Sequence, residues 1–129
     1  MAVAPPDPVR HDENRILLVE DNFLVAQMLA AILSERGCEV VGPVANLEQG
    51  LELAKSEALA GAILDINIIG GTSVPIAEAL EQRHTPFFFI SGYRSPGLLP
   101  RKLDHVYRLT KPIDEPSLES AMHNLFAIE

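Results

Sequence analysis

Residues 16–21 read Ile-Leu-Leu-Val-Glu-Asp, a continuous apolar run that ends in two carboxylates. An apolar run without alternation is typical of a parallel strand that is covered on both faces. Similar runs are Ala-Ile-Leu-Asp at residues 62–65 and Phe-Phe-Phe-Ile-Ser at residues 87–91. Each of these runs is short and is followed by a polar side chain. The pattern predicts buried strands whose carboxyl ends carry the chemistry of the protein.

Segments of helical period separate the apolar runs. The first helix is predicted from about Phe23 to Arg36, because Gly37 stands where a helix-ending glycine is expected. A weaker second strand is predicted from Cys38 to Gly42 and is limited by Pro43. A fifth, short strand is predicted from Val106 to Leu109.

Capping residues mark the starts of three further helices. Asn46 with Gln49 fits a capping box, although Gly50 weakens the helix that follows by about 1 kcal/mol relative to alanine. Ser73 is predicted to cap a helix with Pro75 in its first turn. Asp114 is predicted to cap the last helix. The expected core face of that helix consists of Leu118, Ala121, Met122 and Leu125.

The chain therefore repeats a βα unit five times. The segment Ser95 to Leu103 holds Pro96, Gly97 and Pro100, which disfavour a regular helix before the fifth strand. Short βα units predict an α/β fold with a doubly wound parallel sheet and helices on both faces. A closed eightfold barrel needs about twice this length. Residues 1–14 are predicted to be a flexible tail, and residues 15–129 to form one domain.

Composition excludes several classes of protein. With 47% hydrophobic and 22% charged residues, the chain is globular and not disordered. A net charge of −8 argues against direct binding to nucleic acid or to an anionic membrane surface. The single Cys38 excludes an internal disulfide, and Met1 to Arg10 lack the pattern of a signal peptide. No apolar run is long enough to span a membrane, so we expect a cytoplasmic protein.

Polar residues follow four of the predicted strands and should meet at one edge of the sheet, where ligands of open α/β sheets bind. They are Glu20 and Asp21 after the first strand, Asp65 after the third, Ser91 after the fourth, and Lys111 after the fifth. Taken singly, each has a structural explanation. Asp21 could cap the first helix, Asp65 could belong to a turn, and Lys111 could be a solvated surface residue.

Taken together, these residues indicate a phosphoryl-transfer site. Three carboxylates held close repel one another by several kcal/mol at an effective dielectric constant of about 20. Mg²⁺ removes such repulsion and is typically bound by one or two carboxylates, water and a phosphate. Lys111 supplies a positive charge for the phosphate and Ser91 a hydroxyl donor. A carboxylate of the protein can itself be the nucleophile.

Four short motifs carry a resemblance to a known family. They are Val19-Glu20-Asp21-Asn22, Leu64-Asp65, Ile90-Ser91-Gly92 and Thr110-Lys111-Pro112. Their order and spacing resemble the receiver domain of two-component response regulators, from about Arg15 to Ile128. The resemblance implies a flavodoxin-like (βα)5 sheet of strand order 2-1-3-4-5 and a cis Lys111–Pro112 bond.

The resemblance also implies roles for the site residues. Asp65 accepts a phosphoryl group from a histidine kinase or phosphotransfer protein, Ser91 bonds the phosphoryl oxygen, and Lys111 pairs with the acyl phosphate. The implied ligands of Mg²⁺ are Glu20, Asp21, Asp65 and the backbone carbonyl of Asn67.

A narrower resemblance involves Pro86-Phe87-Phe88-Phe89-Ile90-Ser91-Gly92-Tyr93. This segment is similar to the Phe-Ala-Thr-Gly-Tyr motif of alphaproteobacterial receivers, which are often stand-alone and work with kinases of the HWE type. Gly70, Ser73, Pro75 and Ala77 also resemble the loop of that group. Arg108 stands where most receivers carry a switch aromatic, and strand alternation places Tyr107 on the opposite face.

These observations predict a single-domain response regulator that signals by protein contact or acts as a phosphate sink. It is not expected to be an enzyme beyond assisting its own phosphorylation and dephosphorylation. Only Ala127-Ile128-Glu129 follow the last helix, so no output domain is expected. The alternative is a phosphorylation-independent docking module with the same fold. A haloacid-dehalogenase-like phosphatase would need a second aspartate where this chain has Asn67.

Overall fold

The computed structural model describes residues 11–92 and 99–128. Its central feature is a five-stranded sheet, whose strands are numbered here along the chain. They are β1 (Arg15–Val19), β2 (Glu39–Val44), β3 (Gly61–Asp65), β4 (Phe87–Ser91) and β5 (Arg108–Thr110). All neighbours are parallel, and the order across the sheet is β2-β1-β3-β4-β5. The predicted fold class and strand order are confirmed.

Four α-helices cover the two faces of the sheet. They are α1 (Phe23–Glu35), α2 (Leu47–Ser56), α3 (Val74–Gln82) and α4 (Glu115–Phe126). Side chains of α1 and α4 pack on one face, and those of α2 and α3 pack on the other. Strand residues alternate between these two cores, with Leu17 facing α2 and α3 and Leu18 facing α1 and α4.

The described residues also contain a two-stranded hairpin, Asn67–Ile68 paired with Gly71–Thr72, and two short 3-10 helices. His11–Asn14 precedes β1, and the Asn14 side chain donates a hydrogen bond to the carbonyl of Gly37. Residues 1–10 of the predicted tail lie outside the described residues. Arg101–Leu103 forms the second 3-10 helix, and no α-helix joins β4 to β5 within the described residues. Of the segment Ser95 to Leu103, which was predicted to lack a regular helix, residues 95–98 lie outside the described residues.

Several local predictions are confirmed. Gly37 follows α1 with φ of +84°. Asn46 and Asp114 both cap their helices, because each side chain accepts a hydrogen bond from a backbone N–H three residues on. Gly50 lies where α2 meets α3, and a Cβ there would lie 2.6 Å from Ile76 Cδ1. The helix-weakening glycine therefore permits close packing of two helices.

Two predicted strand boundaries were wrong. β2 continues through Pro43 to Val44, which a sheet edge permits because proline there need not donate to an outer neighbour. The register between β1 and β2 shifts at this point. β5 begins at Arg108 instead of Val106, because the Val106 N–H donates to Leu103 in a turn.

One prediction about a helix start is confirmed in position only, and one about a core face was wrong. Ser73 is the N-cap residue of α3 and Pro75 lies in its first turn, as predicted, but the Ser73 hydroxyl makes no capping bond. Its backbone is not in the extended conformation that directs a cap side chain to the helix. In α4, Leu125 is 37% exposed, and Phe126 takes the core position instead, where its ring stacks on Phe88. No helix in the described residues combines the length and apolarity needed to cross a membrane.

The close approach of Gly61 to the Phe126 ring yields a test of core packing. A Cβ at Gly61 would overlap this ring, which stacks on Phe88 with centroids 5.4 Å apart. We expect Gly61→Ala to lower the free energy of unfolding by about 1–3 kcal/mol in urea denaturation. Phe126→Leu should lower it too, but the double variant should lose less than the sum. Strictly additive losses would contradict the proposed overlap.

Candidate functional site

Two carboxylates follow β1 in different environments. Glu20 is 2% exposed, and its backbone N–H donates to the carbonyl of Val44 at 2.9 Å. Its Oε2 accepts a hydrogen bond from the Asn22 N–H at 2.9 Å, which fixes the side chain over the sheet edge. Asp21 is exposed. The strand end therefore presents one buried and one solvated carboxylate.

The cap of α1 is Asn22 and not Asp21. The Asn22 side chain accepts a hydrogen bond from the Val25 N–H at 3.0 Å. Sequence alone left capping open as an explanation of Asp21, and the structure removes that explanation. The Asp21 carboxylate is thus available for another interaction.

Asp65 ends β3 beside these residues and is 4% exposed. Glu20, Asp21 and Asp65 each offer an oxygen, and these three atoms lie within 4.8 Å of one another. The predicted gathering of three carboxylates is therefore present.

Lys111 follows β5 and reaches both buried carboxylates. Its Nζ lies 2.8 Å from Glu20 Oε1 and 3.0 Å from Asp65 Oδ2. Its backbone N–H donates to the carbonyl of Ser91 at 2.8 Å, which ties the lysine to the end of β4. The Lys111–Pro112 bond is cis, as the resemblance implied.

Burial and neighbouring charges shift the pKa values of Asp65 and Lys111. Burial, together with the hydrogen bond and the charge of Glu20, raises the pKa of the Asp65 carboxyl to about 7, against the opposing effect of Lys111. Burial lowers the pKa of the Lys111 ammonium, but its hydrogen bonds and charge interactions with Glu20 and Asp65 outweigh burial and leave it raised. Lys111 is therefore the permanent cation of the site.

The remaining predicted site residues lie around this cluster. Ser91 is buried at the end of β4 and pairs in register with Thr110. Asn67 lies two residues beyond Asp65, in a hairpin that pairs Asn67–Ile68 with Gly71–Thr72. Ile69 and Gly70 connect the two strands of this hairpin, and Gly71 already belongs to the second strand.

Arg108 and Tyr107 lie on opposite faces of the sheet, as predicted. Arg108 lies in register with Phe89, a residue of the core that α2 and α3 cover. The Tyr107 ring instead meets Phe88, on the other face, edge to face at 6.2 Å. Tyr107 therefore does not take the place of an aromatic residue at position 108.

Sequence reasoning missed the link between the hairpin and α2. The Leu47 N–H donates to the carbonyl of Ile69 at 2.9 Å, and the Ile69 N–H donates to the carbonyl of Ala45 at 3.1 Å. Strands of two residues carry no measurable periodicity, so only the Gly70-Gly71 pair signalled a turn at this place.

The donor set fits a hard divalent cation. Oxygens of Glu20, Asp21 and Asp65 converge, and such oxygens are the ligands that Mg²⁺ prefers. Glu20 Oε1 is buried and lies 2.8 Å from the Lys111 ammonium, which balances part of the negative charge of the cluster.

The fold and the cluster together define a doubly wound α/β domain with an acidic, lysine-bridged site at the carboxyl edge of its sheet. Comparison with known proteins agrees with this class. The family model described as response regulator receiver domain matches residues 16–123. The chain belongs to the response regulator receiver domain family, a family of two-component signalling, which confirms the resemblance.

Individual relatives are more distant. Sensor protein TorS of Escherichia coli (strain K12) is 34% identical over 86 residues, which cover 66% of this chain and 9% of TorS. The other curated relatives are also longer, and the chain spans less than half of each.

Solved structures match over most of their length. SdrG from Sphingomonas melonis Fr1 is 31% identical with a TM-score of 0.76, covering 88% of this chain and 96% of that chain. The receiver domain of sensor histidine kinase PA1611 from Pseudomonas aeruginosa PAO1 is 18% identical with a TM-score of 0.75, covering 88% and 98%. That receiver has a magnesium ion coordinated in its active site cleft.

The raised pKa of Asp65 predicts a pH dependence of stability without metal. A carboxyl whose pKa rises from 3.8 to about 7 on folding stabilises the fold below pH 3.8, and this contribution is lost as pH rises through about 7. Relative to Asp65→Asn, wild type should lose about 3–4 kcal/mol of unfolding free energy over this range, measured in urea with a chelator.

The exposed Asp104 supplies the matched control. Asp104→Asn should follow the wild-type dependence. If Asp65→Asn and wild type show parallel pH profiles, Asp65 is not the titrating group.

Proposed function

We propose that Asp65 is the phosphoacceptor of a response-regulator switch, receiving its phosphoryl group from a histidine kinase or phosphotransfer protein. The observation that carries this proposal is the contact of the Asp65 carboxylate with Lys111 Nζ at 3.0 Å, at the point where three carboxylates meet. Asp65 lies at the end of a central strand, so its position is fixed by neighbours on both sides.

In the proposed reaction, a carboxylate oxygen of Asp65 attacks the phosphorus of a phosphohistidine. The new O–P bond gives an acyl phosphate, while the P–N bond breaks and its electron pair stays on the donor histidine. The positive charge of Lys111 favours the ionised carboxylate before attack and pairs with the phosphoryl oxygens afterwards. The Ser91 hydroxyl donates to a phosphoryl oxygen.

Glu20, Asp21, Asp65 and the backbone carbonyl of Asn67 would hold Mg²⁺. The ion supplies positive charge that offsets the repulsion between the carboxylates and the incoming phosphoryl group. The convergence of three carboxylate oxygens supports this assignment.

Residues 15–129 form the receiver in this proposal. Its output is a contact with another protein, or the removal of phosphoryl groups from a shared kinase, and it catalyses no reaction on other molecules. The motif at residues 86–93 supports a kinase of the HWE type as the phosphodonor. The net charge of −8 argues against nucleic acid and anionic membranes as partners.

Phosphorylation by a small donor tests the acceptor. With Mg²⁺ and acetyl phosphate, wild type should gain the mass of one phosphoryl group by intact mass spectrometry, because Asp65 is the proposed nucleophile. Asp65→Asn should gain none, while the control Asp104→Asn should behave as wild type. Equal labelling of Asp65→Asn would place the acceptor elsewhere, and an unlabelled wild type would favour the phosphorylation-independent docking module.

Asp21 offers a separate test of the metal site, because it is exposed and caps no helix. Asp21→Asn removes one of three repelling charges, so we expect a melting temperature without metal about 2–4 °C above wild type. Mg²⁺ affinity, measured by titration calorimetry, should fall at least about ten-fold. A lower metal-free melting temperature would show that the Asp21 carboxylate stabilises the fold in another way.

A further inference from the structure

The hairpin after Asp65 carries the proposed carbonyl ligand but has little stability of its own. Its strands are two residues each, and its return passes through Gly70 and Gly71 with φ of +100° and +138°. Isolated two-stranded hairpins are marginal in water, and glycines lose much conformational entropy on folding. The hairpin must therefore be held by the rest of the protein.

Burial and backbone hydrogen bonds hold the base of the hairpin. Ile66 and Ile68 are buried on either side of Asn67. The Ile66 N–H donates to the carbonyl of Ile90 at 3.2 Å, and the Ser73 N–H donates to the carbonyl of Ile66 at 2.9 Å. These contacts fix where the hairpin leaves the core. They leave the tip, at the exposed Ile69 and Gly70, unrestrained.

The tip is held by backbone hydrogen bonds to the start of α2. Leu47 donates to the Ile69 carbonyl and Ile69 donates to the Ala45 carbonyl, at 2.9 and 3.1 Å. Leu47 is the first residue of α2, so its N–H has no partner within the helix. This pair of bonds, the tether, therefore satisfies a free helical donor while it restrains the hairpin.

We propose that the tether positions the backbone carbonyl of Asn67 for the metal, which makes Leu47 a positioning residue through its N–H. The inference rests on the proposed metal site. A loose hairpin would have to be ordered by the ion at the expense of binding, whereas a tethered hairpin is ordered beforehand. By linkage, metal binding must stabilise the tether as much as the tether favours metal binding.

Leu47→Pro removes the tether donor with little damage to α2. Proline is favoured at the first position of a helix, where no intrahelical bond is lost. The preceding Asn46 has φ of −129° and ψ of 162°, a conformation that a following proline prefers. Leu47→Ala is the matched control, because it removes the same side chain and keeps the N–H.

Titration calorimetry with MgCl₂ on the full chain tests the proposal. We expect Leu47→Pro to weaken Mg²⁺ binding about three- to ten-fold relative to Leu47→Ala, the range expected for one lost hydrogen bond. Circular dichroism should show equal helix content in the two variants. Equal affinities would overturn the inference, because the side chain of Leu47 and not its N–H would then determine any loss.

Amide hydrogen exchange on the wild-type protein provides a second test, which does not depend on whether a variant folds. The amides of Leu47 and Ile69 should exchange several-fold more slowly with saturating MgCl₂ than with a chelator. Unchanged exchange in a protein that binds Mg²⁺ would overturn the tether and leave the proposed function intact. If wild type binds no Mg²⁺, or Asp21→Asn binds it as tightly, the metal site itself is wrong.

Discussion

The contact of Lys111 with Glu20 and Asp65 is the interaction on which the site depends. Two carboxylates with almost no exposure lie beside each other, and a third stands within 4.8 Å, so their repulsion in a partly desolvated place is large. One ammonium reaches both buried groups. Glu20 and Asp65 are 91 and 46 residues away from Lys111 in sequence, so the contact exists only when the sheet is complete.

The order of the strands explains why these distant residues meet. β1, β3, β4 and β5 lie side by side and end at the same edge, where β1 is followed by two candidate site residues and β3, β4 and β5 contribute one each. Apolar residues on both faces of the strands leave the backbone little freedom, because two packed cores enclose it. The charged groups thus stand on a rigid base, and the energetic cost of gathering them is met by burial elsewhere.

The sequence was most informative for site residues whose position depends only on the end of one strand. Glu20, Asp65 and Ser91 were predicted at the sheet edge because each directly follows an apolar run. Lys111 was placed correctly although β5 begins two residues later than expected, because the prediction used the strand end and not its start. These predictions needed only the parallel order of the strands.

The sequence-based predictions were wrong or left open where tertiary contacts decide how far a strand extends, which residue caps a helix or which residue faces the core. Pro43 stays within β2 because that strand is at the edge, which no local pattern reveals. Asn22 and Asp21 are both good caps, and backbone geometry selects the first. Phe126 displaces Leu125 from the core because its ring stacks on Phe88 of the distant β4.

The backbone bond from Lys111 to Ser91 limits how the site can respond to a bound group. It extends the ladder between β4 and β5 by one residue, so it couples the backbone at the two strand ends. A hydroxyl and an ammonium held in this way separate little by backbone motion. Their relative movement is therefore confined to side-chain torsions, few for serine and several for lysine, which favours a fast, short-range rearrangement over a slow displacement of the strands.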